Sequence, residues 1–265
     1  MGEALFSAVD EGRWLPADLS RGPWSADTLH GGPVAALLAR EAELSGSRAA
    51  VVPMHPARLT VELLRPTPLE PVDVRAEILR PGRKVQLVSA EMTASDGSSL
   101  ARALLLQIRT EVVEVPALPT ASPPPSPDHG APLNPLPVLH DQPAFHNHGV
   151  DHRFVVGQFD APGPATDWIR LRVPLVSGEE PTPLVRVAAA ADFGNGISAA
   201  VPFDQMTFIN PDLTIYLHRV PVGEWVCLEA ATTLTGNGVA LSESALYDEK
   251  GPIGRSLQSL LLTPR

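Results

Sequence analysis

Arg58-Leu59-Thr60-Val61, followed by Arg65, returns 154 residues later as Asp212-Leu213-Thr214-Ile215, followed by Arg219. Working outward from this pair, Gly82 and Val85 return as Gly236 and Val239, and Gly97 returns as Gly251, all at the same separation. Ala101-Arg102-Ala103-Leu104 then returns one residue early as Gly254-Arg255-Ser256-Leu257. Shared strand composition would account for each match singly but not for their common register, so the chain reads as a duplicated and fused module.

Each copy carries the same order of signals. A short helical stretch opens with proline at its first position, where a missing N–H costs nothing: Pro33 to Leu44 in the first copy and Pro183 to Ala191 in the second, with Thr182 as N-cap. Both stretches are apolar on all sides in their first two turns, the mark of a helix wrapped by other structure. Runs rich in Val, Leu, Ile and Thr follow, separated by Gly, Pro and Asp turns. They fall at about 57–64, 72–79, 84–94 and 100–110, and again at about 212–218, 225–234, 238–247 and 253–262, with shorter strands expected near Trp14 and Trp168. The expected architecture is α+β, one antiparallel sheet curled around a buried helix, twice. Residues 116–143 are dense in proline, which disfavours helix and central strand, and read as a semi-rigid linker between segments 1–115 and 144–265. Strand edges left open in each half predict that the two sheets join into one.

Composition narrows the function classes. A formal net charge of -10 opposes attraction to a nucleic-acid backbone. The single cysteine, Cys227, allows no internal disulfide or thiolate cluster and suits a reducing cytoplasm. The N-terminal residues lack a basic start before an apolar run, and no stretch is long enough to span a bilayer, so neither secretion nor a membrane is expected.

The chain resembles the acyl-CoA thioesterase II family, whose members are tandem hot-dog proteins. In the first copy the likeness rests on Leu29-His30-Gly31-Gly32 and Leu64-Arg65-Pro66. In the second it rests on Ala191-Asp192-Phe193, on Pro211-Asp212 through His218-Arg219, on Glu224-Trp225 and on Ser256-Leu257-Gln258. The resemblance implies a double hot-dog fold, hydrolysis of a fatty acyl thioester on CoA or an acyl carrier protein, no cofactor, and further association, here a homodimer. It also implies a catalytic Asp, Thr and Gln. By position these fall on Asp192, Asn210 and Gln258; the chain departs from the family at Asn210, whose longer planar amide can still hydrogen-bond water or a carbonyl.

Read without the family, Asp192 ends an apolar helical run just before Gly194, a helix-stop signal. The negative end of the helix dipole and apolar neighbours would both raise its pKa toward the working range of a general base; a solvated helix-end aspartate is the plainer alternative. The repeat adds weight. Asp192, Asn210 and Gln258 stand opposite Leu38, Pro56 and Leu105, so one copy holds polar groups where the other holds apolar ones. Gln258 shares a strand face with Leu260 and Leu262, which points it inward, although a solvent-facing strand glutamine has the same local sequence. His30, Gly31 and Gly32 at a helix start offer N–H groups for a thioester oxyanion or a CoA phosphate, or simply a tight turn into the helix.

Other signals are set aside. His146, His148, His152, Asp141 and Asp151 are crowded but lack regular metal-ligand spacing, so no metal is expected. Asp192-Phe193-Gly194 has no kinase loop to accompany it, no G-x-S-x-G elbow is present, and Cys227 lies in an apolar strand. The reaction expected is direct hydrolysis, with Asp192 taking a proton from water that Gln258 and Asn210 hold and helix-start N–H groups polarising the carbonyl. Two rivals stay open: a hydratase or dehydratase, which needs a His–Asp pair that His55 and His218 do not obviously form, and a non-catalytic acyl-thioester binder, which the Asn210 departure would suit.

Overall fold

The computed structural model describes residues 3–116, 122–133 and 142–265. Strands β1 (Phe6–Asp10) and β2 (Arg13–Pro16) lead to helix α1 (Gly31–Ala49) and then to β3 (Met54–Leu63), β4 (Val72–Arg80), β5 (Val85–Thr93) and β6 (Ser99–Arg109). The second half begins with β7 (Val150–Gln158) and β8 (Ala161–Leu171), followed by α2 (Pro183–Ala191) and α3 (Gly194–Ile197). It continues through β9 (Met206–Ile209), β10 (Asp212–Leu217), β11 (Val226–Leu234), β12 (Val239–Asp248) and β13 (Gly251–Pro264).

These strands form one 13-stranded sheet with the order β1-β2-β4-β5-β6-β3-β10-β13-β12-β11-β8-β7, and β9 pairs with β13. Its named strand pairs are antiparallel, and β3 meets β10 with Thr60 opposite Thr214, so the two quoted stretches lie side by side. Outward from that seam the order is β6, β5, β4 on one side and β13, β12, β11 on the other. The register follows the sequence offset closely: Leu105 faces Val88 across β6 and β5, and Gln258 faces Ser242 across β13 and β12.

Helices α1 and α2 pack against each other, α1 on β3–β6 and α2 with α3 on strands of the second half. Leu37, Leu38, Val88 and Leu105 are fully buried in the first half, and Leu184, Val187, Ala188 and Ala191 in the second belong to the same core. Truncating Leu38 or Leu105 to Ala leaves a void that close-packed neighbours fill only in part, with an expected loss of about 2–5 kcal/mol each. Urea unfolding checks this, and a change within about 0.5 kcal/mol, as for a surface site, would contradict it.

Three details differ from expectation. Helix α1 is longer than Pro33–Leu44: His30 caps it through Nδ1, which accepts the Gly32 N–H, so Gly31 and Gly32 form its first turn. Its C-terminal extension is held by a buried contact that local sequence does not contain, Gln86 Nε2 donating to the Gly46 carbonyl at 2.9 Å. Gly194 does not stop a helix. Asp192 and Phe193 keep right-handed helical backbone, and Gly194 opens α3. A glycine is needed there because a Cβ would stand 2.8 Å from Gln258 Oε1 and 2.9 Å from Ser244 Oγ. Part of the proline-rich stretch also packs on the second half, where Trp168 Nε1 donates to the Pro125 carbonyl at 2.8 Å and Ala131 pairs with Phe154. Among the described residues no helix is long and apolar enough to cross a membrane.

Candidate active site

The sharpest polar convergence lies where the start of α1 meets the end of α2. Asp192, the C-cap of α2, is 5 % exposed. Its Oδ2 lies 2.9 Å from Nδ1 of His30, the N-cap of α1. Its Oδ1 accepts from Asn210 Nδ2 at 2.8 Å. Gln258, on β13, donates through Nε2 to the Asp192 backbone carbonyl at 3.2 Å, lies 3.5 Å from Oδ1, and accepts the Asn195 N–H through Oε1 at 3.1 Å. Asp212 fixes β13 beside it by accepting the Ser259 N–H at 2.8 Å.

The glycines have a geometric reason. A Cβ at Gly31 would stand 2.7 and 2.8 Å from the two carboxylate oxygens of Asp192, and one at Gly32 would stand 2.6 Å from the Ala189 carbonyl. The two helices therefore approach this closely only with glycine at both positions. The Gly32 N–H is turned toward His30 Nδ1 at 3.0 Å and also bonds Asp192. Thus His30, Gly31, Gly32, Asp192, Asn210 and Gln258 come together, from segments far apart in sequence.

The pKa of Asp192 shifts in the direction opposite to the expectation. Burial pushes its pKa upward, but the His30 hydrogen bond and charge, the Asn210 amide and the Gly32 N–H outweigh burial and hold it below the ordinary carboxylate value. The expected rise counted the helix end and apolar neighbours, and omitted donors arriving from another helix and another strand.

A cavity of ≈ 950 Å³ opens onto this cluster, with His30, Gly31, Asp192, Asn195 and Asn210 in its lining. Its walls are largely apolar and include Trp24, Phe159, Phe193, Phe203 and Phe208. Trp24 and Phe203 stack at 4.8 Å, with Phe208 edge-on to Trp24 at 5.4 Å. Gln258, 2 % exposed, sits behind Asp192 and holds the carboxylate and the start of α3.

The crowded histidines have other partners. His152 and Asp167 form a buried pair, Nδ1 to Oδ2 at 2.5 Å, and His152 Nε2 lies 3.1 Å from the His146 carbonyl. Asp151 pairs with Arg170 at 2.8 Å, His148 Nδ1 contacts Ala144, and Asp141 lies outside the described residues. Cys227 is fully buried, and burial, with Asp167 and Glu229 nearby, pushes its thiol well above the ordinary range. His55 Nε2 contacts the Leu217 carbonyl at 2.9 Å. The His–Asp pair at the cavity is instead His30 with Asp192. Sequence reading missed that pairing because its members are 162 residues apart, and it missed Asn195 because nothing local marks it.

Comparison with known proteins bears on the family and the fold. Residues 20–108 match the family model for an acyl-CoA thioesterase N-terminal domain, and residues 119–262 match that for an acyl-CoA thioesterase C-terminal domain. No curated protein matches the sequence at a significant level. Among solved structures, a thioesterase candidate from Novosphingobium aromaticivorans is 21% identical, with 99% of this chain and 100% of that one covered at a TM-score of 0.74. A protein of unknown function with a hot-dog fold from Alicyclobacillus acidocaldarius is 17% identical, with 97% and 95% covered at 0.72. The acyl-CoA thioesterase II TesB2 from Mycobacterium marinum is 16% identical, with 98% and 96% covered at 0.64. At these identities the likeness is one of fold, and it is the hot-dog fold. The two domain matches together span nearly the whole length, and the chain belongs to the acyl-CoA thioesterase family.

Proposed function

We propose that the chain hydrolyses fatty acyl thioesters carried on CoA or on an acyl carrier protein, with water activated at the His30–Asp192 pair. One observation carries the reading: a buried carboxylate, gripped by donors from both halves, stands at an apolar cavity large enough for an acyl chain. Asn210 orients the Asp192 carboxylate and, with Asn195, offers amide groups to water or to the thioester carbonyl. The Gly31 N–H, at the positive end of α1, is the backbone donor for the developing oxyanion. Gln258 keeps Asp192 and Asn195 in register. No covalent intermediate is required.

The two halves are read as one hot-dog module duplicated and fused, with segments 1–115 and 144–265 joined by 116–143. The mirrored strand order about the β3–β10 seam supports this. A homodimer and a cytoplasmic location complete the proposal; a monomer mass by light scattering at micromolar concentration would remove the dimer.

The His30–Asp192 pair also favours a second reading, addition of water to a 2-enoyl thioester. Incubation with matched saturated and 2-enoyl acyl-CoA substrates separates the readings by product. Free thiol from both supports hydrolysis, a 3-hydroxyacyl thioester with no free thiol supports hydration, and binding without turnover supports a non-catalytic acyl-thioester protein.

A further inference from the structure

Asp192 is poorly placed to take a proton from water. Oδ1 is occupied by Asn210, Oδ2 faces His30, and the residue is 5 % exposed. Donors from three directions also hold its proton affinity down, whereas a general base works best with an affinity near the operating pH. The His30 imidazole is differently situated. Among the described residues its polar contacts, to Asp192 and to the Gly32 N–H, use Nδ1, and the ring is part of the cavity lining. With the Nδ1 proton directed at the carboxylate, the Gly32 N–H turns to Asp192 and Nε2 carries the lone pair on the opposite side of the ring.

We propose that His30 is the catalytic base and acid of the hydrolysis, and that Asp192 is the anion that orients and balances its imidazole. This rests on the thioesterase reading and specifies how its proton moves. Water gives a proton to His30 Nε2 as its oxygen forms a bond to the thioester carbon, producing a tetrahedral oxyanion and an imidazolium beside the Asp192 carboxylate. The carbonyl re-forms as the C–S bond breaks, and Nε2 returns the proton to the departing thiolate. The products are carboxylic acid and thiol, and the enzyme is unchanged. Around the ring stand Asp192 from α2, His146 from the π-turn Phe145–Gly149 with its ring centroid 6.3 Å away, and the apolar rings of Phe145 and Phe193 at 5.2 and 4.8 Å. Arg65, Asp160 and Asp204 are the other charged residues of the cavity lining.

The test is the pH profile of kcat/KM for the wild type and for His30→Asn, with thermal melting of both. Asn places an amide N–H near the position of Nδ1, so it keeps the donor to Asp192 while removing Nε2. The wild type should show an acid limb that reports protonation of its base. His30→Asn should lose about 10²- to 10⁴-fold in rate and lose that limb, with melting little changed. A wild-type profile with no acid limb, a variant that keeps the wild-type rate, or a limb that persists in the variant would overturn the proposal while leaving hydrolysis intact. If the variant does not fold, the wild-type profile decides. A wild type that releases no thiol at any pH would remove the thioesterase reading, and this proposal with it.

Discussion

Asp192→Asn is expected to lower kcat/KM by about 10²- to 10⁴-fold and to fold, melting below the wild type. The side chains are nearly isosteric, but an amide has one acceptor oxygen where the carboxylate has two. It can accept from His30 Nδ1 or from Asn210 Nδ2, and its own NH2 then confronts the other donor. The imidazole loses both its orientation and its counter-ion, which matters most when it becomes charged. The fold is kept at some cost in stability, because the ionised carboxylate that the fold favours is gone and one buried donor is left facing the new NH2. The sign of the linkage is definite. The folded-state pKa of Asp192 is depressed below its unfolded value of about 3.9, so its ionisation favours the fold above that value. The contribution is lost only as pH falls through the depressed pKa, so the carboxylate is charged at any pH near neutrality. Stopped-time thiol release with a parallel melt measures both effects, and a normally folded variant with full activity would contradict the assignment.

The buried His152–Asp167 pair should produce the largest stability effect. His152 Nδ1 faces Asp167 Oδ2 at 2.5 Å and Nε2 faces the His146 carbonyl at 3.1 Å, so both ring nitrogens lie against oxygens. Asp167, fully buried, also accepts the Arg153 N–H at 3.0 Å. Burial pushes its pKa up, and His152 and the Arg153 N–H act against that rise. Asp167→Ala strands the imidazole without its partner and should cost about 3–5 kcal/mol, read by urea unfolding. The loss should also reach the active site. The His146 carbonyl belongs to the π-turn that lays Phe145 against His30, with ring centroids 5.2 Å apart. An Asp167→Ala variant as stable as the wild type would show that the pair contributes nothing to the fold.

Much of this molecule was legible in its sequence, for identifiable reasons. The constant offset between the Arg58 and Asp212 stretches anticipated the strands that meet at the central seam. Thr182 and Pro183 marked the start of α2 because a cap and a first-turn proline are local signals. Asp192, Asn210 and Gln258 converge as the repeat comparison suggested, since a polar residue opposite a buried leucine is informative without coordinates. What the sequence hid depends on groups brought in from elsewhere. Gly194 has the composition of a stop, yet it is glycine because the Gln258 side chain passes over it. The lowered pKa of Asp192 has no local signal because its donors lie 18 and 162 residues away. His152 carries no local sign of its partner Asp167, which is set by a hairpin whose register shifts between Phe154 and Val156.

Hydrolysis of acyl thioesters at the His30–Asp192 site is decided by following free thiol from a saturated acyl-CoA with the wild type and Asp192→Asn at equal concentration. The wild type should release one thiol and one carboxylic acid per thioester consumed, and the variant should be slower by about 10²- to 10⁴-fold. Thiol release at the same rate by both proteins, or by neither, would contradict it.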